Sequence, residues 1–334
     1  MATSVAEPKR RVIFSGIQPT GVPHLGNYLG ALANWVQLQR NALPEDELLF
    51  SIVGWHALIL PQSPKQLSEA RTDILAVLLA ICIDPRRSII FHQEHNPNHT
   101  ELAWIFNCIT PMRKLRRMTT WKSRLAASKN QGDDAEMDET ELNVGFSHIL
   151  ATHVPVGDDQ TQHLELSRVI ADQFNRNFKA KRQLFPPSKG ILSLRDPTSK
   201  MSKSAPDTSS RILFTNSSSQ ITSKIRSAVT DSISGITYDP VNRPGTANLL
   251  SILAACKDEN VNKTVSGYAG KNHGALKADV TKAVEEKLKG PRKEYEKLKM
   301  DKEYLRRVAQ EGAERARVKS EATMMEVRER IGLL

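Results

Sequence analysis

The chain has 334 residues, which is more than one core usually organises, so two domains or one domain with a helical appendage are expected. With 25% charged and 39% hydrophobic residues, the composition is that of a folded globular protein and excludes a disordered chain. The net charge is +10, and residues 211–334 contribute +7 of it, because they hold 23 Lys and Arg against 16 Asp and Glu. A basic surface suits a polyanion, although proteins that never bind nucleic acid share this balance.

Cysteine usage and apolar runs exclude further classes. The cysteines at positions 82, 108 and 256 form no C-x-x-C pair, so neither a disulfide framework nor a cysteine zinc site is indicated, and a reducing compartment fits. The longest apolar run, residues 74–83, is well short of the roughly 20 residues that cross a bilayer. Residues 1–11 are basic but lack the apolar core of a secretory signal, and they are short for a transit peptide.

The first ninety residues alternate between strand and helix patterns. Residues 12–14 predict a strand, residues 15–26 a turn-rich loop, and residues 27–39 a helix. A second unit follows, in which residues 48–53 read as a buried strand and a capping signal at residues 63–66 starts a helix that runs towards residue 83. Residues 88–91 return as a strand. This alternation predicts a parallel sheet covered by helices.

The remainder of the chain becomes progressively more helical. Residues 100–107 and 114–127 predict helices, and the polar stretch 129–141 predicts an exposed loop. Residues 153–156 predict a strand and residues 161–178 an amphipathic helix, so the alternation of strand and helix continues here. After residue 204 strand signals nearly vanish, and residues 277–334 carry apolar positions at helical spacing. We therefore predict a Rossmann-like, doubly wound α/β domain followed by an all-α domain.

Two segments carry candidate chemistry. Residues 18–27 (Gln-Pro-Thr-Gly-Val-Pro-His-Leu-Gly-Asn) join the first strand to its helix, where a parallel sheet places its ligand crevice and a helix N-terminus points its amides outward. Glycines there would let a backbone approach a ligand closely. Residues 200–204 (Lys-Met-Ser-Lys-Ser) follow a run of turn formers, and two lysines on such a loop could close over a triphosphate. Taken singly, each segment could instead be an ordinary turn.

Together these segments resemble the signatures of the class I aminoacyl-tRNA synthetases, a His-x-Gly-His-like sequence after the first strand and a Lys-Met-Ser-Lys-Ser loop after the last. Residues 24–27 have Asn in place of the second His, and with residues 15–21 (Ser-Gly-Ile-Gln-Pro-Thr-Gly) they resemble the tryptophanyl branch. The resemblance continues at residues 117–119, at residues 154–160, which contain the family's Gly-x-Asp-Gln turn, and at residues 228–231. It covers nearly the whole chain.

The resemblance implies roles for individual residues. A catalytic set of His24, Asn27, Lys200 and Lys203 would bind the ATP phosphates and hold the leaving pyrophosphate. Tryptophan would contact Phe14, Gln18 and Gln160, with Phe14 equally readable as a core residue at a strand. The ATP-binding residues would be Gln18, Pro19, Thr20, Gly26, Asn27, Gly157, Asp158, Asp159, Ile191, Lys200, Met201, Ser202, Lys203 and Ser204.

The resemblance also implies the reaction and the partners. Tryptophan would attack the α-phosphate of ATP, and the resulting tryptophanyl-adenylate would be transferred to tRNA(Trp), with Mg²⁺ accompanying ATP and no metal bound by the protein itself. Residues 1–210 would form the catalytic domain, with a helical insertion at about 95–150, and residues 211–334 would bind the tRNA anticodon. The expected assembly is a homodimer without a membrane partner. The expected compartment is the mitochondrial matrix or otherwise the cytoplasm.

One departure from the family's pattern puts tryptophan activation in question. The family has a helix with Tyr-Pro near its start and Ala-Ala-Asp-Ile-Leu further on, and its Asp accepts the indole N–H. Here residues 145–153 run almost directly into the strand before Gly157, so this segment looks deleted. A catalytically impaired, synthetase-like tRNA-binding protein or isoform is therefore an alternative.

Two enzymatic alternatives come from other classes. A smaller nucleotidyltransferase shares the His-containing loop, but such chains usually lack a long basic helical tail. A zinc hydrolase or deaminase would use the cluster at His92, His95 and His99, but its spacing is neither H-E-x-x-H nor H-x-x-E-H.

Overall fold

The computed structural model describes residues 10–58, 63–111, 113, 151, 153–157, 161–178, 187–188 and 208–334. Its longer elements, in chain order, are β1 (Val12–Ile17), α1 (Leu25–Asn27), α2 (Ala33–Asn41), β2 (Glu47–Ile52), α3 (Gly54–Ala57), α4 (Pro64–Ala80), β3 (Ile89–His92), α5 (Asn98–Ile109), β4 (Val156–Gly157), α6 (Thr161–Phe178), β5 (Pro187–Ser188), α7 (Ser218–Arg226), α8 (Pro244–Lys257), α9 (Val261–Ser266), α10 (His273–Met300) and α11 (Lys302–Ile331). A π-helical turn (Tyr28–Leu32) joins α1 to α2, and short 3₁₀ turns lie at Gln93–His95 and Thr208–Ser210.

The strands form a parallel sheet whose order reverses at β1. β1 pairs with β2 and β2 with β3, both in parallel. On the other edge of β1, Ile13 forms a parallel bridge with His153, and the amide of Phe14 donates to the His153 carbonyl at 2.9 Å. The same segment continues into β4, which pairs in parallel with β5. The spatial order β3, β2, β1, residues 153–157, β5 is that of a doubly wound sheet, which confirms the predicted fold class.

Helices cover both faces of this sheet. Alternate residues of β2 point in opposite directions: Leu48, Phe50 and Ile52 enter a core shared with α2 and α4, whereas Leu49 faces a second core. The second core is closed by small residues of α11, including Ala313 and Ala316. Continuous apolar strands are expected when both faces are buried.

The C-terminal helices belong to the same hydrophobic core as the sheet. The larger core contains Leu276, Val280 and Leu288 of α10 together with residues of α4 and β2. Tyr295 of α10 donates its hydroxyl to Asp73 of α4 at 2.9 Å. The all-α character of this region is as predicted, whereas the boundary between residues 210 and 211 stays a prediction.

The element predictions agree with the structure to within a few residues at most boundaries. The helix predicted at 161–178 has those bounds, and the helix predicted at 100–107 extends to Asn98–Ile109. The helix predicted at 27–39 is interrupted by the π-helical turn, and the first strand continues to Ile17 rather than ending at residue 14. The helix at 114–127 and the loop at 129–141 lie outside the described residues.

Candidate active site

The loop after β1 lies where the strand order reverses. At this point the carboxyl end of β1 and the segment that leads into Gly157 sit side by side, and the hydroxyl of Ser15 donates to the Pro155 carbonyl at 3.3 Å. In open α/β sheets, ligands bind in the crevice that forms at such a reversal. The segments that carry Gln18 and Gly157, which are far apart in sequence, therefore meet at this reversal.

His24 and Asn27 cap the start of α1 reciprocally. The His24 ring accepts from the Asn27 amide through Nδ1 at 3.1 Å, and the Asn27 side-chain oxygen accepts from the His24 amide at 3.2 Å. His24 is buried. The imidazole thus has a structural role at the helix N-terminus in addition to the catalytic role that the resemblance assigns to it.

Backbone hydrogen bonds hold the His24 loop against residues 212–214, which follow the predicted lysine loop in the sequence. The amide of Leu25 donates to the Ile212 carbonyl at 2.7 Å, and the amide of Phe214 donates to the Pro23 carbonyl at 2.8 Å. His24 and Leu213 form an antiparallel bridge. These bonds hold residues 212–214 against the His24 loop. No local sequence signal indicated this contact, because it joins segments nearly 190 residues apart.

The remaining loop residues are held by backbone geometry and by one side chain. Gly21 adopts φ of +98°, a conformation that favours glycine, and the Thr20 amide donates to the Gln18 carbonyl at 2.9 Å. Pro19 is buried and Thr20 is exposed. The Gln18 side chain donates through Nε2 to the carbonyl of His56 at 3.1 Å, so α3 also contacts this loop. Sequence reasoning did not find α3.

Phe14 lies in the core of the sheet. The residue is 5% exposed and belongs to the cluster closed by α11, and its ring meets the His99 ring edge-on with centroids 6.1 Å apart. This position favours the core reading of Phe14. Its role as a wall of the indole pocket stays a prediction. Residues 158–160, Ile191 and residues 200–204 lie outside the described residues, and so do residues 114–150.

Two of the three clustered histidines, His92 at the end of β3 and His99 in α5, are buried, whereas His95 is exposed. Burial, with the nearby Arg71 charge, lowers the pKa of His92 to about 3, and burial lowers the pKa of His99 to about 4. Within the described ranges, no group of three His, Cys, Asp or Glu side chains is placed to hold a metal ion. The buried His99 ring packs edge-on against the ring of Phe91 in β3.

Comparison with known proteins agrees with this geometry. The family model for class I tRNA synthetases (W and Y) matches residues 7–289. The mitochondrial tryptophan–tRNA ligase of Schizosaccharomyces pombe is 39% identical over 98% of this chain and 96% of its own length. The tryptophan–tRNA ligase of Rickettsia conorii is 36% identical over 97% of this chain and 99% of its own.

Solved structures show the same relationship. The tryptophanyl-tRNA synthetase from Mycoplasma pneumoniae superposes with a TM-score of 0.86 at 28% identity, covering 97% of this chain and 98% of that one. The Campylobacter jejuni tryptophanyl-tRNA synthetase complexed with ADP and tryptophan gives a TM-score of 0.73 at 25% identity, covering 96% of this chain and all of that one. The chain therefore belongs to the class I tRNA synthetases. Within that class it is a member of the tryptophanyl-tRNA synthetase family, which confirms the resemblance read from the sequence.

Proposed function

We propose that this chain is an ATP-dependent tryptophan–tRNA ligase whose reaction takes place in the crevice between the His24 loop and the segment ending at Gly157. The observation that supports the proposal is the contact between β1, which leads into the His24 loop, and residues 153–155, which lead into Gly157, at the reversal of strand order. At the start of α1, an ATP phosphate would meet the Gly26 amide, because the Leu25 and Asn27 amides already donate within the protein. Gly157 would allow the adenosine to approach the backbone.

Catalysis would depend mainly on positioning and charge stabilisation. Gln18, held by the His56 carbonyl, would orient the tryptophan carboxylate towards the α-phosphate. Lys200 and Lys203 would neutralise charge on the leaving pyrophosphate, a contribution made chiefly in the transition state. Mg²⁺ would enter with ATP as part of the co-substrate.

The decisive assay is tryptophan-dependent exchange of pyrophosphate into ATP. We expect activity in the purified chain and a loss of about 10²-fold or more in kcat for Lys200→Ala, because an electrostatic contact to developing charge is removed. Replacing the exposed Lys65 of α4 with alanine is the matched control and should leave the rate unchanged. Exchange that does not depend on tryptophan, or that tolerates Lys200→Ala, would refute the proposal.

A catalytically impaired form is the second candidate, and the length of the match favours it. The S. pombe alignment extends over 348 residues, whereas 98% of this 334-residue chain is about 327, so the relative has residues without a counterpart here. An indole N–H left without an acceptor would cost about 1–3 kcal/mol. The test compares exchange by this chain with exchange by a version in which the family's Tyr-Pro…Ala-Ala-Asp helix is restored. A faster restored version supports impairment, and equal rates exclude it.

For tRNA, we propose that the basic surface of residues 211–334 contacts the anticodon region. Lys282, Lys289 and Lys293 are exposed at positions i, i+7 and i+11 of α10, on one side of the helix, and within the described ranges they form no ion pair. Deleting the region would uncover the core of the sheet, so charge substitution is the better experiment. Changing all three to Gln should weaken tRNA binding and reduce the salt slope by up to about 2 to 3. An unchanged slope would contradict contact at this surface.

Assembly and location extend the proposal. The exposed Trp104 on α5, with 70% of its surface accessible, supports a homodimer in which a second copy covers this helix. Sedimentation should show a dimer for the wild type and a monomer for Trp104→Glu, and a monomeric wild type would refute the homodimer.

The mitochondrial relatives from S. pombe and Saccharomyces cerevisiae support a location in the mitochondrial matrix, which fractionation of cells would test. Among the described residues, no helix is long and apolar enough to span a bilayer.

A further inference from the structure

Gly54, the first residue of α3, touches the carboxylate of Glu94. A Cβ atom placed on Gly54 would lie 2.8 Å from Cδ of Glu94, 3.0 Å from Oε1 and closer still to Oε2. Real Cβ atoms are essentially never found at such distances. The Glu94 carboxylate therefore occupies the volume that any side chain at position 54 would require.

The carboxylate is held in this place from two sides. Glu94 forms an ion pair with Arg71 of α4, and its side chain is only 18% exposed. The backbone of its turn is fixed by α11, because Arg317 donates to the His95 carbonyl at 3.1 Å and Ser320 donates to the Asn96 side-chain oxygen at 3.1 Å. Withdrawal of the carboxylate would leave a largely buried Arg71 charge without its partner, which is costly.

The helix turn that rests on Glu94 carries the acceptor for Gln18. α3 is a single turn, from Gly54 to Ala57, and the His56 carbonyl within it accepts from Gln18 Nε2 at 3.1 Å. A displacement of α3 by a few tenths of an ångström would lengthen this bond and weaken its hold on the Gln18 amide. The path from Glu94 to the crevice thus consists of one van der Waals contact, one helical turn and one hydrogen bond.

We propose that Glu94 is a positioning residue for the tryptophan site: its carboxylate fixes α3 through Gly54, and α3 in turn orients the Gln18 side chain. The statement that Gln18 meets tryptophan rests on the proposed function. The positioning itself is a property of the ligand-free protein and can be measured without any substrate.

The first test follows the side-chain amide of Gln18 by NMR in the full chain labelled with [¹⁵N]glutamine, with the signal assigned from Gln18→Ala. In Gly54→Ala the signal should move, because the new methyl group pushes α3 away from Glu94. In the double variant Gly54→Ala/Glu94→Asp the signal should return towards its wild-type position, because Asp keeps the charge but is one methylene shorter. Gly267→Ala, at an exposed helix end with ordinary contacts, is the control and should leave the signal in place.

A Gln18 signal that is unmoved in Gly54→Ala, or moved equally in the single and double variants, overturns the proposal. If Gly54→Ala does not fold, Glu94→Asp alone decides, because withdrawal of the carboxylate should loosen α3 and shift the same signal. No shift in that variant also overturns it.

The second test is kinetic. Gly54→Ala should raise the KM for tryptophan about tenfold, with a smaller change in kcat, and the double variant should recover most of this loss, as coupled neighbours do. A merely structural contact would lower the melting temperature and leave KM unchanged, and additive effects of the two substitutions would also refute the coupling. A wild type without tryptophan-dependent exchange would refute the proposed function alone, and the NMR result would then decide the positioning.

Discussion

Gly312 of α11 provides a sharp test of how the C-terminal helix packs on the sheet. A Cβ atom on Gly312 would lie 2.8 Å from the carbonyl carbon of Ile90 in β3 and closer still to its oxygen. Both partners are backbone, so neither can turn aside as a flexible side chain would. The buried neighbours Ala309, Ala313 and Ala316 are also small, which is consistent with a close approach of helix and strand.

The expected cost of Gly312→Ala can be worked out from this contact. Forcing an extra methyl group into a packed core typically costs about 1–3 kcal/mol, and the upper end applies because backbone atoms must move. The better helix propensity of Ala returns about 1 kcal/mol. The net loss is therefore about 2 kcal/mol. With an unfolding entropy of about 2.1 cal/mol/K per residue, 334 residues give ~0.7 kcal/mol/K, so the melting temperature should fall by roughly 3 °C.

Calorimetry of Gly312→Ala beside Gly267→Ala measures the effect directly. The control adds the same methyl group at an exposed position with φ of −75°, where its nearest neighbour is the Thr264 carbonyl at 3.4 Å. The control should melt within about 1 °C of the wild type, since exposed substitutions rarely exceed ~0.5 kcal/mol. A Gly312→Ala variant that melts together with Gly267→Ala would refute the close packing of α11 on β3.

Three further substitutions test interactions elsewhere in the fold. The Arg11 guanidinium lowers the pKa of buried Asp46 to about 2, so the pair stabilises the protein above pH of about 4. The difference in urea midpoint between wild type and Asp46→Asn should therefore shrink as pH falls from about 4 towards 2. A difference that stays constant over this range would contradict the stabilising role of the pair. Arg243 is buried and donates to Asp231 through Nε at 3.0 Å and through a terminal nitrogen at 2.7 Å. Arg243→Lys should lower the free energy of unfolding, measured by urea denaturation, by at least about 2 kcal/mol, because one ammonium cannot reproduce both hydrogen bonds. An unchanged urea midpoint would show that these bonds do not stabilise the protein. Asn27→Ala removes half of the cap on α1 and should cost about 1 kcal/mol by the same measurement, whereas an equal midpoint would show that the cap contributes nothing.

Local patterns were sufficient for most elements that the structure describes. The helix at Thr161–Phe178 has an apolar stripe at helical spacing over its whole length, so its bounds were predicted without error. The π-helical turn at Tyr28–Leu32 was missed, because a π turn inserted in a helix leaves the surrounding apolar spacing nearly unchanged. The continuation of β1 to Ile17 was missed because Ser15 and Gly16 resemble turn formers, whereas pairing with β2 keeps them extended.

The sequence by itself determined the family, the alternating α/β order and the loop that carries His24 and Asn27, since each of these depends on short segments whose residue types and spacing are sufficient. Tertiary structure alone decided that α10 and α11 share the core of the sheet, that residues 212–214 fix the His24 loop, and that Glu94 rests on Gly54. These contacts join segments tens to hundreds of residues apart. Local periodicity shows that a face is apolar, but only long-range packing decides which other face covers it.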